Sequence, residues 1–181
     1  MARASSRLRT AVVGGFALGF LLAGALPGNA QLHFGPHVAA GSDSGFGLGA
    51  QAAFPLRVGP GFMDGSLDGT YFLGGGSAVD SWLDANLNVR MVIPLAADFS
   101  TRVGGGLNAS FISLDTPGTP TTDTETEFGL NLLFGLEYPR DGILGGRAIP
   151  YGEVRAVIGG SEQVVFSAGL LFGRRQVEDD G

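Results

Sequence analysis

From Ser81 onward, apolar and polar residues alternate with a period of two: Leu83, Ala85, Leu87, Val89, Met91 and Ile93 on one parity, Asp84, Asn86, Asn88 and Arg90 on the other. Successive side chains of a strand point to opposite faces, so the pattern predicts a strand with one apolar and one polar face. The same alternation recurs three times. Over 99–111, Val103, Leu107 and Ala109 oppose Arg102, Asn108 and Ser110. Over 127–138, Phe128, Leu130, Leu132, Phe134, Leu136 and Tyr138 oppose Glu127, Asn131 and Glu137. Over 164–172, Val164, Phe166, Ala168, Leu170 and Phe172 oppose Ser167 and Gly169. Four weaker alternations cover 32–40, 46–54, 62–73 and 148–158. Between these segments lie 41–44, 57–61, 74–80, 94–97, 115–126, 139–147 and 159–162, rich in the Gly, Pro, Asp and Ser that turns require. No connection has room for a crossover helix. Short links make neighbours antiparallel, so the expected fold is all-β, an eight-stranded up-and-down meander closed into a barrel without edges.

Period two alone does not say which face points inward. Volume does. About five apolar side chains on each of eight strands make roughly 40 groups, and an eight-stranded barrel has an interior barely wide enough for small side chains. The apolar parity is therefore expected outside, facing lipid, with Leu83, Leu87, Val89, Met91, Val103, Leu107, Leu130, Leu132, Phe134, Leu136, Phe166, Leu170 and Phe172 as its clearest members. Aromatic spacing agrees: Phe46 to Phe54, Phe99 to Phe111 and Phe128 to Tyr138 are separated by 8, 12 and 10 residues on that parity. Ten residues of tilted strand rise about 25 Å, the height of a lipid-facing band between two aromatic girdles. The expected lumen set is Asp64, Asp68, Asp84, Asn86, Asn88, Arg90, Arg102, Asn108, Glu127, Asn131, Glu153 and Arg155, with Asp98 and Glu137 beside them. Buried charge is tolerated only when paired, so the three arginines are expected to bridge carboxylates across the lumen and plug it. An acid-lined path for small cations is the functional alternative for this face.

Composition narrows the classes further. Charged residues make up 15%, well below the ~25% usual in soluble domains. All eleven basic residues are Arg. The absence of Cys excludes a disulfide framework, a thiolate metal site, a cysteine nucleophile and an acylated lipoprotein cysteine. A net charge of −6 argues against nucleic acid as a partner.

Arg3, Arg7 and Arg9 precede a 16-residue apolar run, Ala11–Leu26, followed by Pro27 and the small-x-small triplet Gly28-Asn29-Ala30. This is the layout of a secretory signal peptide, residues 1–30, with cleavage after Ala30. The run falls short of the ~20 residues of a spanning helix, which disfavours a retained anchor. The barrel then occupies 31–172, and 173–181 form a polar C-terminal tail. The Thr-rich stretch 115–126 is too polar to bury and reads as one mobile surface loop.

The signal, the eight alternating segments and the final Val164-x-Phe166-x-Ala168-x-Leu170-x-Phe172 together resemble small Gram-negative outer-membrane barrels of the OmpA/OmpX and opacity-protein type. The resemblance implies an integral, porin-like outer-membrane protein of the cell envelope with a structural or surface-interaction role and no cofactor. Its implied partners are outer-membrane lipid and lipopolysaccharide, the barrel-insertion machinery during assembly, and an extracellular partner through the loops. One departure stands out: the family commonly ends at the terminal aromatic residue, whereas here Gly173–Gly181 continues past Phe172. With a periplasmic N-terminus, the first, third, fifth and seventh connections fall outside the cell.

Some barrels of this size are lipid A deacylases or palmitoyl transferases, so a lipid-modifying enzyme is the runner-up reading. Serine hydrolysis needs a His base oriented by a third group. The only histidines, His33 and His37, lie four apart on the first strand; they make at most a weak metal pair, and strand closure could bring Ser167 near them. No His-x-Ser arrangement occurs in the later strands. The expectation is therefore no catalytic, cofactor or metal residues. Gly74–Gly76 and Gly104–Gly106 imitate a phosphate loop only superficially, since neither leads into a helix carrying Lys and Ser/Thr. A secreted soluble barrel carrying an apolar ligand is the third reading.

Overall fold

The computed structural model describes residues 32–58, 61–73, 79–96, 98–115, 122–138 and 143–173. The expected signal sequence and its expected cleavage site at Ala30, Gly74–Gly76, the centre of the Thr-rich connection and the tail beyond Gly173 lie outside the described residues. Eight strands follow one another: β1 His33–Gly41, β2 Gly45–Val58, β3 Gly61–Phe72, β4 Val79–Ala96, β5 Phe99–Asp115, β6 Thr122–Glu137, β7 Ala148–Ile158 and β8 Gln163–Phe172. Each pairs antiparallel with the next, and β8 closes on β1 with Val38 opposite Ala168 and Gly41 opposite Val165. The all-β, eight-stranded, closed up-and-down barrel is the architecture that the alternation predicts.

The register sets the dimensions. Stepping from His33 across successive ladders leads through Ala53, Ser66, Asn88, Gly106, Asn131, Val157 and Gln163, and continuing the β8–β1 register brings the path back level with Asp43, ten residues further along and just past the end of β1. Eight strands with that stagger tilt by about 40° and close at a backbone radius of about 8 Å. So narrow an interior has no room for the apolar parity. Leu87 is 50% exposed and Leu132 59% exposed, both on the outer surface, which overturns the soluble barrel with an apolar interior.

Several boundaries differ from the sequence expectation, among them the end of β2, which runs through Pro55 to Val58 where 57–61 is expected as a turn. The Thr-rich stretch is not one loop from 115 to 126: β5 runs on to Asp115 and β6 begins at Thr122, with Asp115 opposite Thr122 and Phe111 opposite Thr126. Alternate Thr is a good strand former, and backbone pairing with β5 on one side holds this segment while Asp123–Thr126 stay exposed. Likewise β4 continues through Pro94 to Ala96, where a register shift between Pro94 and Ala96 accommodates the missing N–H. Pro36 has a related effect at the seam, since the β1–β8 pairing skips from Phe34 to His37.

The strand ends flanking the first, third, fifth and seventh connections share one end of the barrel, called distal below. Residues 32 and 173 lie at the other, terminal end. Two apolar clusters sit inside the sheet rather than outside it. One, near the distal end, joins Ala39, Phe72, Trp82, Ile112 and Val165; the other, near the terminal end, joins Ala53, Ile149, Tyr151 and Leu171.

Candidate functional site

The polar parity fills the lumen between these clusters. Just below the distal cluster, Asp84 accepts hydrogen bonds from Trp82 Nε1 at 2.7 Å, Ser110 Oγ at 2.7 Å and Gln163 Nε2 at 3.1 Å. Gln163 Oε1 accepts one from Ser44 Oγ at 2.7 Å, and Ser110 meets Ser161 at 2.6 Å, so both distal hairpins beside the seam are tied to the interior. At mid-barrel, Asp68 accepts from Asn86 at 2.9 Å, Asn88 at 3.2 Å and Arg155 at 2.9 Å. Asn86 Oδ1 in turn accepts from Asn108 and Asn131, each at 2.9 Å, while Asn131 also donates to Asn88 Oδ1 at 2.9 Å.

The ion pairs lie on the same face. Arg90 of β4 reaches across to Glu153 of β7 at 3.3 Å. Arg102 of β5 pairs with Asp64 of β3 at 3.7 Å and with Glu137 of β6. Arg155 of β7 pairs with Asp68 of β3. Three strand pairs that share no backbone ladder, β3–β5, β3–β7 and β4–β7, are thereby joined through the interior. Desolvated charges hold such positions only when their partners stay in place, so the network fixes barrel cross-section as well as charge.

Glycine makes the room. Gly106 sits opposite Asn88, where a Cβ would lie 2.5 Å from the Asn88 Oδ1 and 2.0 Å from the Leu87 carbonyl oxygen. Gly104–Gly106 is therefore the middle of β5, packed beside Asn88 and Arg90, and neither a turn nor a phosphate loop. On the outer face Gly65 is covered by the Phe54 ring, whose atoms a Cβ would meet at 2.3 Å.

Of the expected lumen residues, Asp68, Asp84, Asn86, Asn88, Arg90, Arg102, Asn108, Asn131, Glu153 and Arg155 are buried in the interior, whereas Asp64 and Glu127 are half-buried. Asp98 is not in the lumen. It occupies the exposed turn between β4 and β5, beyond the last paired residue, where parity no longer assigns a face. Of the outward set, Leu87, Val89, Met91, Val103, Leu107, Leu130, Leu132, Phe134, Leu136 and Phe166 are exposed, and Leu83, Leu170 and Phe172 are half-buried on the same outer surface. His37 is buried with its Nε2 engaged by Thr70 Oγ1 at 2.8 Å, and Ser167 lies opposite Ala39 and Glu153 in its two ladders.

Sequence reasoning missed the two apolar clusters. Their signal is a break in the alternation: Phe72, Trp82, Ile112, Val165, Ile149 and Leu171 are apolar residues on the polar parity, each close to a strand end.

Fold and interior together define a class: a closed eight-stranded barrel, apolar outside, with a charged and hydrogen-bonded lumen bounded by an apolar cluster towards each end. The sequence matches no family model and no curated protein. Three solved structures share the fold. The attachment invasion locus protein Ail of Yersinia pestis matches with a TM-score of 0.56 at 11% identity, over 80% of this chain and 95% of Ail. Neisserial surface protein A gives 0.56 at 16% identity, over 79% and 96%. The N-terminal β-barrel domain of Pseudomonas aeruginosa OprF gives 0.55 at 10%, over 80% and 99%. At these identities the likeness is one of fold.

Proposed function

We propose that this chain is an integral outer-membrane barrel of a Gram-negative envelope, with a structural or surface-interaction role and no enzymatic activity. One observation carries the reading: along β6 and into Tyr138 just beyond it, Phe128, Leu130, Leu132, Phe134, Leu136 and Tyr138 point outward and are exposed, while Asn131, Leu133 and Glu137 on the alternate positions are buried inside. That stretch is the height of a lipid-facing band, about 25 Å, with an aromatic ring at each edge. At the terminal end the Tyr138 ring stacks on Phe99, with centroids 4.4 Å apart. Water would leave this surface unsatisfied; hydrocarbon would not. The lumen supports a non-porin role, since its polar groups bond to one another across the axis. The likeness to Ail, NspA and the OprF domain supports the same reading. In this orientation the distal end is extracellular, lipid and lipopolysaccharide surround the band, and β8 is the segment that the insertion machinery recognises.

The refolded protein is expected to migrate faster on SDS gels when cold than after boiling, because a closed membrane barrel resists SDS. A folded sample that stays monodisperse in plain buffer without amphiphile would overturn the reading. Incubation with lipid A is expected to leave the lipid unchanged; deacylation or acyl transfer that His33→Ala or His37→Ala removes would establish the lipid-modifying alternative instead.

A further inference from the structure

The distal part of β6 has a neighbour on one side only. β5 pairs with β6 along its whole length, from Asp115 opposite Thr122 to Ser100 opposite Glu137. β7 stops at Ile158 opposite Leu130, and in the turn that follows Gly160 lies beside Glu127 and Phe128. Among the described residues no strand flanks Asp123–Glu127 on the side away from β5. Alternate residues there direct N–H and C=O groups into solvent, a template for another extended chain.

Chemistry selects which chain. Asp123, Glu125 and Glu127 recur at every second position and share one face, with Thr124 and Thr126 on the other. The acids are not balanced locally. The distal segments 41–46, 70–84, 110–128 and 158–164 contain no basic residue, yet they carry Asp43, Asp80, Asp84, Asp115, Asp123, Glu125, Glu127 and Glu162. Among the described residues, Arg90, Arg102 and Arg155 lie in the lumen, and Arg57 and Arg147 occupy positions at the opposite end. Two copies meeting edge to edge would set these carboxylates against one another, because directly opposed like charges destabilise a ladder. The edge thus rejects its own copy, and it has no apolar face on which to seat a greasy strand.

We propose that Asp123–Glu127 of β6 is a docking edge for a cationic extended polypeptide, which adds as a further strand and sets Lys or Arg at alternate positions against Asp123, Glu125 and Glu127. The backbone ladder supplies affinity and the charge alternation supplies selection. The proposal deepens the surface-interaction role and rests on the extracellular placement of the distal end.

The test uses the full barrel in detergent micelles with a short alternating Lys-Thr peptide, and the same peptide N-methylated at every backbone amide, which keeps length and charge but has no ladder donors. The expected results at about 0.15 M salt are saturable binding of the Lys-Thr peptide, amide exchange slowed at least about tenfold across 123–127, and at least about tenfold weaker binding of the N-methylated peptide. The triple variant Asp123→Asn, Glu125→Gln, Glu127→Gln is expected to bind about tenfold more weakly while keeping its cold–boiled gel shift. Equal binding of the two peptides, unchanged affinity in the triple variant, protection elsewhere on the barrel, or no binding would each overturn the docking edge. A protein lacking the gel shift that still protects these amides would overturn the membrane reading and uphold the edge.

Discussion

Replacing Arg102 by leucine is expected to lower the free energy of unfolding in detergent by about 3 kcal/mol or more. The guanidinium stands between Asp64 of β3 and Glu137 of β6, and Glu137 is fully buried. Leucine fills comparable space but leaves both carboxylates in a narrow interior without their cation. The cost is the penalty of the stranded charges rather than the worth of the pair, so removing the charges should recover much of it. Arg102→Leu combined with Asp64→Asn and Glu137→Gln is expected to be more stable than Arg102→Leu alone. Urea unfolding followed through Trp82, the sole tryptophan and a buried one, reads both variants. A midpoint unmoved by Arg102→Leu would show that Arg102 does not hold these carboxylates in solution.

The second large effect belongs to the outer face. Leu132→Arg is expected to cost about 2–4 kcal/mol in a bilayer, the penalty for a cation near the midplane on the lipid side of a barrel. Leu132 of β6 lies between Phe128 and Tyr138, the residue just past the strand, far from both edges of the apolar band. Glu162→Arg, in the exposed turn between β7 and β8, serves as the control and should change stability by no more than about 0.5 kcal/mol. Were the outer face wet, Leu132→Arg would be as mild as the control. Unfolding from phospholipid vesicles separates the outcomes.

The strands were legible wherever one parity was apolar without interruption. The segment 148–158 is the same in sequence and structure, and β8 starts at Gln163 rather than Val164. Ends were less legible, for a physical reason: a strand that leaves the lipid band no longer needs an apolar face, so Thr122–Thr126 loses the alternation while keeping its backbone ladder to β5. The same reason hides Pro94–Ala96 at the end of β4. Inside the barrel, each residue's face could be read from parity, but partners could not. Asp68 collects Asn86, Asn88 and Arg155 from β4 and β7, and no spacing along the chain indicates that β3 and β7 face one another across the axis. Ile149 and Leu171 are apolar residues on the polar parity, and only closure brings them together under the lumen.

Alternation by itself determined that the chain is a run of amphipathic strands, how many there are, and which side chains share a face, because a pleated strand allows only two directions for a side chain. The tertiary structure decided the stagger of the closing ladder, and with it the radius, the cross-barrel ion pairs, the apolar clusters and the one-sided edge of β6. Those depend on which strands become neighbours in space and where each ladder stops, and hydrogen bonds between distant segments settle that.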